Sequence, residues 1–78
     1  MPTVARIKGH RFFFFSNEGS EPPHIHVESG SKYAKFWLDP VSLAMSVGYN
    51  ASELTGLRKL VTEHREQFKE QWDEYFSR

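Results

Sequence analysis

Cysteine is absent from the 78 residues. That removes disulfides and thiolate-bound metal, and with them the commonest staple of a small domain. A chain of this length hides only about 60% of its extended surface on folding. The supports that remain are dense packing, a metal held by histidines and carboxylates, or a second subunit. Charge of one sign is also missing, since ten Lys and Arg oppose ten Asp and Glu. This balance disfavours a surface built chiefly for the phosphate backbone. Arg6, Lys8 and Arg11 still form a local basic cluster, read as a solvated strand face, and nucleic acid stays open as a partner. The sequence lacks the roughly 20 consecutive apolar residues of a spanning helix, so no membrane partner is expected. The opening MPTVARIKG lacks the apolar stretch of a secretory signal. Together with the missing cysteine, this sets the expected location as the cytoplasm. Glycines stand singly at Gly9, Gly19, Gly30, Gly48 and Gly56, so no phosphate-cradling loop is written here, nor an HExxH or zinc-finger spacing. A helix-turn-helix reader needs two adjacent helices, and the pattern offers one. Ser16, Ser20 and Ser29 lie near histidines in sequence without a third group to orient them.

Aromatic residues are what the chain has in quantity: seven Phe, three Tyr and two Trp. Residues 4–15 read as a strand ending in Phe12-Phe13-Phe14-Phe15. Successive strand residues face opposite ways, so Phe12 and Phe14 need one cover and Phe13 and Phe15 another. A single helix covers one face only. The second needs a curled sheet, a loop or another subunit, which makes Phe12, Phe13, Phe14 and Phe15 the candidate interface and a homo-oligomer the expectation. Residues 16–23, SNEGSEPP, are loop. Residues 24–29 and 32–38 read as strands joined at Gly30-Ser31, an antiparallel hairpin. After the break at Asp39-Pro40, residues 41–47 are a candidate fourth strand, with Val41, Leu43, Met45 and Val47 alternating against Ser42, Ala44 and Ser46. Residues 51–76 read as one helix capped by Asn50, with Glu53 in the capping-box position. Its apolar stripe is Leu54, Leu57, Val61, His64, Phe68, Trp72 and Tyr75, widened by Leu60 and Phe76. Glu66 and Lys69 are spaced to attract. Gly56 costs about 1 kcal/mol against Ala and marks fraying or a close approach to the sheet. The expected fold is α+β: one domain over residues 1–78, a mainly antiparallel sheet of three or four strands, and one long C-terminal helix packed on it.

Histidine carries the candidate chemistry. His24, His26 and Glu28 share a strand face, and a His-x-His pair can give two imidazoles to one metal, with a carboxylate or third histidine completing the set. The candidate metal ligands are therefore His24, His26 and Glu28, for a divalent ion such as zinc. The candidate catalytic residues are His24, His26 and His64, histidine being the usual proton shuttle near neutral pH. The ordinary alternative is structural, with each ring bonded to backbone and no cofactor at all. Ile25 and Val27 claim the core side of their strand. His24 and His26 should then point away from the helix, exposed or buried only against a partner, while His64 points toward the sheet.

The opening Met1-Pro2-Thr3-Val4, Gly9 with Arg11 and the Phe12–Phe15 strand, Pro22-Pro23-His24-Ile25-His26-Val27, Ala34-Lys35, and His64-Arg65 with Trp72 resemble the bacterial domain-of-unknown-function family numbered 4160. The resemblance covers nearly the whole chain. It implies a small stand-alone cytoplasmic protein, often encoded beside a second small protein in an arrangement similar to toxin–antitoxin pairs. It carries over no catalytic residues; any family site would fall on His24, His26 and His64. The function expected is a protein-interaction module, one component of a two-gene regulatory pair. The alternative is a small histidine-based or metal-dependent hydrolase, such as a nuclease.

Overall fold

The computed structural model describes residues 3–15 and 20–76. Expectations placed on residues 1–2, on 16–19 of the loop and on 77–78 lie outside them. Five antiparallel strands form one sheet in chain order: β1 (Thr3–Ile7), β2 (His10–Phe13), β3 (His24–Ser29), β4 (Lys32–Leu38) and β5 (Val41–Val47). Two helices follow, α1 (Ala51–Glu63) and α2 (Arg65–Phe76). The α+β class and the antiparallel sheet are as expected. The strand count and the single helix are corrected.

The fifth strand comes from a turn inside the predicted first strand. Lys8 and Gly9 both take positive φ, 51° and 83°, and Ile7 pairs with His10 across them. A two-residue turn of that backbone matches the twist of the strands it joins. Glycine adopts it freely, whereas Lys8 does so only as a solvent-exposed turn residue.

The helix splits at His64. Its backbone leaves the helical region (φ −105°, ψ 13°), and its ring Nδ1 donates to the Leu60 carbonyl at 2.9 Å, an acceptor the backbone ladder also uses. Just past the break, Arg65 reaches the β4–β5 turn, donating to the Leu38 carbonyl at 2.9 Å and to Asp39 at 3.0 Å. The bend lets α1 pack over β4 and β5 while α2 packs over β3 and β4. Asn50 caps α1 as predicted, accepting from the Glu53 amide at 2.8 Å while Glu53 accepts from the Asn50 amide at 3.0 Å. Gly56 touches nothing that an added Cβ would meet, so it marks a gap rather than a close approach.

Between sheet and helices lies the main core. Phe12, Phe14, Ile25, Val27, Ala34, Phe36 and Leu38 face Leu57, Val61, Phe68 and Trp72. Each such side chain contributes about 1.5–3 kcal/mol by leaving water. Phe12 packs on Phe68 with ring centroids 5.4 Å apart, and Phe14 meets Trp72 edge-on at 5.3 Å. The predicted stripe holds at these positions, except that Tyr75 is exposed. Glu66 pairs with Arg65 rather than Lys69, which turns to Asp39.

Candidate functional site

Register fixes the second face of the sheet. Phe13 lies opposite His26, which lies opposite Lys35, and Ile25 and Val27 belong to the core beneath the helices. His24 and His26 therefore point away from the helix layer, as alternation requires. They are nevertheless buried by their own chain, at 0% and 1% exposure, and this corrects the expected exposed or partner-covered pair. The His26 ring packs near-parallel to Phe13, at 5.4 Å and 25°, and to Tyr33, at 5.8 Å and 23°. Phe15 closes the edge at 4.5 Å. Its Nδ1 shares a hydrogen bond of 2.7 Å with the Tyr33 hydroxyl. His24 sits at the first position of β3, where the sheet ends. There Trp72 reaches round from α2 to within 4.8 Å of its ring centroid, and Trp37 flanks it at 5.5 Å. Its Nδ1 lies 2.9 Å from the Pro22 carbonyl. A carbonyl oxygen only accepts, so that nitrogen carries the proton.

The predicted constellations do not assemble among the described residues. Glu28 gives its carboxylate to Arg11 at 2.8 Å. No group of three or more His, Asp or Glu side chains among the described residues converges as a metal set would. His24 and His26 do meet, with ring centroids 5.0 Å apart. His64 is not with them: it bonds its own helix at Leu60 and stacks on Phe68 at 5.8 Å. The candidate interface is corrected too. Phe12, Phe13 and Phe14 are 0–2% exposed, spent on the main core and on the aromatic cluster around His26. Arg11 lies over Phe13 at 4.4 Å. The second face thus has an internal cover, and the four-Phe run no longer requires a subunit.

Unsatisfied apolar surface lies instead at the sheet edge. Leu43, Met45 and Val47 of β5 are 43%, 48% and 56% exposed, and residues 41–47 include no charged side chain. The clean alternation expected there is broken. Phe36 pairs with Leu43 while its neighbour Lys35 pairs with Met45, so Ala44 is an extra residue. A bulge of this kind reverses which side the following residues face. Val41 and Leu43 lie on the helix side, and Met45 and Val47 on the side of Lys35 and Tyr33.

A family model described as domain of unknown function (DUF4160) matches residues 9–73. The chain belongs to this family. No curated protein and no solved structure matches it. The DUF4160 span includes the buried histidine pair, the bulged edge strand and the helix break. No helix among the described residues is long and apolar enough to cross a membrane.

Two polar networks within the DUF4160 span escaped the sequence reading. His10 Nδ1 lies 3.0 Å from the Tyr49 hydroxyl, above a cleft of about 350 Å³ that Lys8, Gly56, Lys59, Leu60 and Glu63 also line. Burial, with Glu53 and Glu28 nearby, pushes the Tyr49 hydroxyl above its ordinary value. Lys32 bonds Glu53 and holds that carboxyl low, helped by the Asn50 amide. At the opposite end, Arg65 and Lys69 hold Asp39 low. Sequence separations of 39 residues for the first contact and 26 for Arg65–Asp39 put both beyond any local pattern.

Proposed function

We propose that this chain is a protein-interaction module whose binding surface is the edge strand β5. One observation carries the reading: Leu43, Met45 and Val47 are about half exposed along a strand without charge. Exposed strand edges offer a row of backbone donors and acceptors to another chain. Proteins that keep such edges single usually place Lys, Pro, inward charges or a bulge on them; β5 has the Ala44 bulge but no charge and no proline. The three side chains would add apolar contact to backbone pairing, the usual combination when a strand is added to a sheet. A pairing role suits one component of a two-gene regulatory or toxin–antitoxin-like pair, with the protein of the adjacent gene as a further partner. Burial of His24 and His26 weighs against a hydrolase, whose imidazole must reach its substrate.

The test is a lysine scan of β5. Val47→Lys should keep the far-UV circular dichroism of the parent and lose association, read as oligomer mass and as binding to the co-expressed neighbouring protein. Unchanged association in Leu43→Lys, Met45→Lys and Val47→Lys would overturn the reading.

A further inference from the structure

One mid-helix glycine has no packing reason to be small. Gly56 lies inside α1, where glycine is less favourable than alanine, yet a Cβ added there would meet nothing within 4 Å. The open space beside it belongs to the cleft of about 350 Å³ between α1 and the β1–β2 turn. We propose that this cleft binds a small organic monocarboxylate. Its apolar body lies against the bare backbone of Gly56 and on Leu57 and Leu60, and its carboxylate is held by His10, Lys8 and Lys59.

The walls match that chemistry. Leu57 is anchored in the core and Leu60 packs against it, so the apolar floor is fixed. A concave site of this volume, apolar with a few polar groups, is of the kind that takes small molecules. The tight turn at Lys8 and Gly9 brings Lys8 into the same wall as Lys59, far apart in sequence. Of the acidic residues there, Glu53 is already bonded to Lys32 and to the Asn50 amide. Lys8 and Lys59 then face Glu63 alone, which leaves a single positive excess. That balance suits a singly charged anion better than a phosphate dianion, which Glu63 would repel more strongly.

His10 supplies the directional donor. Its Nδ1 lies 3.0 Å from the hydroxyl of Tyr49, a residue that is 8% exposed. Burial, with Glu53 and Glu28 nearby, keeps that phenol protonated. A phenol donates better than it accepts, and an imidazole nitrogen without hydrogen is a ready acceptor. Nδ1 therefore accepts from Tyr49, and Nε2 carries the proton offered to the carboxylate. Tyr49 is thus a positioning residue, acting through the His10 ring.

Amide NMR titration of the full chain with phenylacetate tests the site. Phenylacetamide serves as the neutral analogue, and inorganic phosphate as the anion without an apolar body. Phenylacetate should give saturable shifts at Gly9, His10 and residues 56–60, with a dissociation constant of about 1 mM for a ligand of roughly ten heavy atoms. Phenylacetamide should bind about tenfold more weakly, having lost the charge-assisted hydrogen bonds. Gly56→Leu fills the cleft and replaces a helix-weakening residue. It should melt no lower than the parent and lose the phenylacetate shifts. Lys59→Glu, at an exposed position, should weaken phenylacetate at least about threefold. At about pH 8, where imidazole is ordinarily neutral, ring nitrogen shifts should show His10 protonated at Nε2 in the parent and a tautomer mixture in Tyr49→Phe. A folded Gly56→Leu that still binds phenylacetate would overturn the inference, as would phosphate binding as tightly as phenylacetate. If Gly56→Leu does not fold, unchanged affinity in Lys59→Glu decides against the site. A parent ring protonated at Nδ1 removes His10 as the donor. None of these residues belongs to β5, so the result stands apart from association through that strand.

Discussion

At the scale of the residue, position within a two-sided sheet decides what a histidine does. His26 alternates with Ile25 and Val27, and the alternation places it correctly on the far face. What alternation cannot supply is the cover over that face. Phe13, Tyr33 and Phe15 come from β2, β4 and the segment after β2, and their convergence on one ring is a tertiary fact. The His-x-His spacing thus pointed to a real unit, while its environment was legible only in three dimensions. The expected consequence is structural. His26→Ala removes a side chain that is 1% exposed together with its 2.7 Å hydrogen bond to the Tyr33 hydroxyl, so it should cost about 2–5 kcal/mol, the range for large buried truncations. Urea midpoints measure it; a shift under about 0.5 kcal/mol would mean the ring does not hold the second face together. Trp72→Ala should cost about 3–5 kcal/mol, because Trp72 joins the Phe14 edge, the Phe76 ring and His24 at 5.3, 4.1 and 4.8 Å. Glu66→Ala should stay within about 0.5 kcal/mol, its side chain being 80% exposed. Equal midpoints for the two would contradict the packing of α2.

At the scale of the element, the readable features were those carried by local chemistry. The Asn50 cap, the β3–β4 hairpin and the alternation within each strand follow from side chains a few residues apart. Three features did not. The Lys8-Gly9 turn lacks the Asn-Gly or Asp-Gly pair that announces such turns. The Ala44 bulge hides inside a strand whose sequence alternates perfectly. The break at His64 sits in an unbroken apolar stripe, and its tertiary anchor is Arg65 on the far-off Asp39. That anchor has a pH signature. Asp39 is held below its ordinary value of 3.8, first by the hydrogen bond from Arg65 and then by Lys69. A carboxylate whose folded value is depressed stabilises fully above the unfolded value and loses that contribution as pH falls through the folded one. Stability should therefore fall with acid below about pH 4, and Asp39→Asn should flatten that fall while lowering stability at neutral pH. Urea midpoints between pH 6 and pH 2 make the comparison. An unchanged acid slope in Asp39→Asn would show that the staple between α2 and the β4–β5 turn contributes nothing.

At the scale of the whole molecule, two covers and the apolar edge strand β5 organise the chain. The helices cover one sheet face, the aromatic and imidazole side chains largely cover the other, and β5 is left with apolar side chains in water. A monomer with both faces filled should fold alone, yet association through β5 should add stability by mass action. The gain is about 2.7 kcal/mol when free protomer exceeds its dissociation constant a hundredfold. For a domain of this size each kcal/mol moves the thermal midpoint by about 4–8 °C. Raising the protein from about 1 to about 100 μM should therefore raise the midpoint by several degrees if association is micromolar. Met45→Lys should match the parent at the low concentration and lose the rise, because the lysine disturbs the edge and not the core. Trp72→Ala should be lower at every concentration, because it weakens the fold that presents the edge. The two variants separate what a single melting curve confuses. Deficits of the core appear everywhere, and deficits of the edge appear only where a second copy is available. Calorimetry over that concentration range decides, and a midpoint independent of concentration in the parent would leave β5 to a partner other than its own copy.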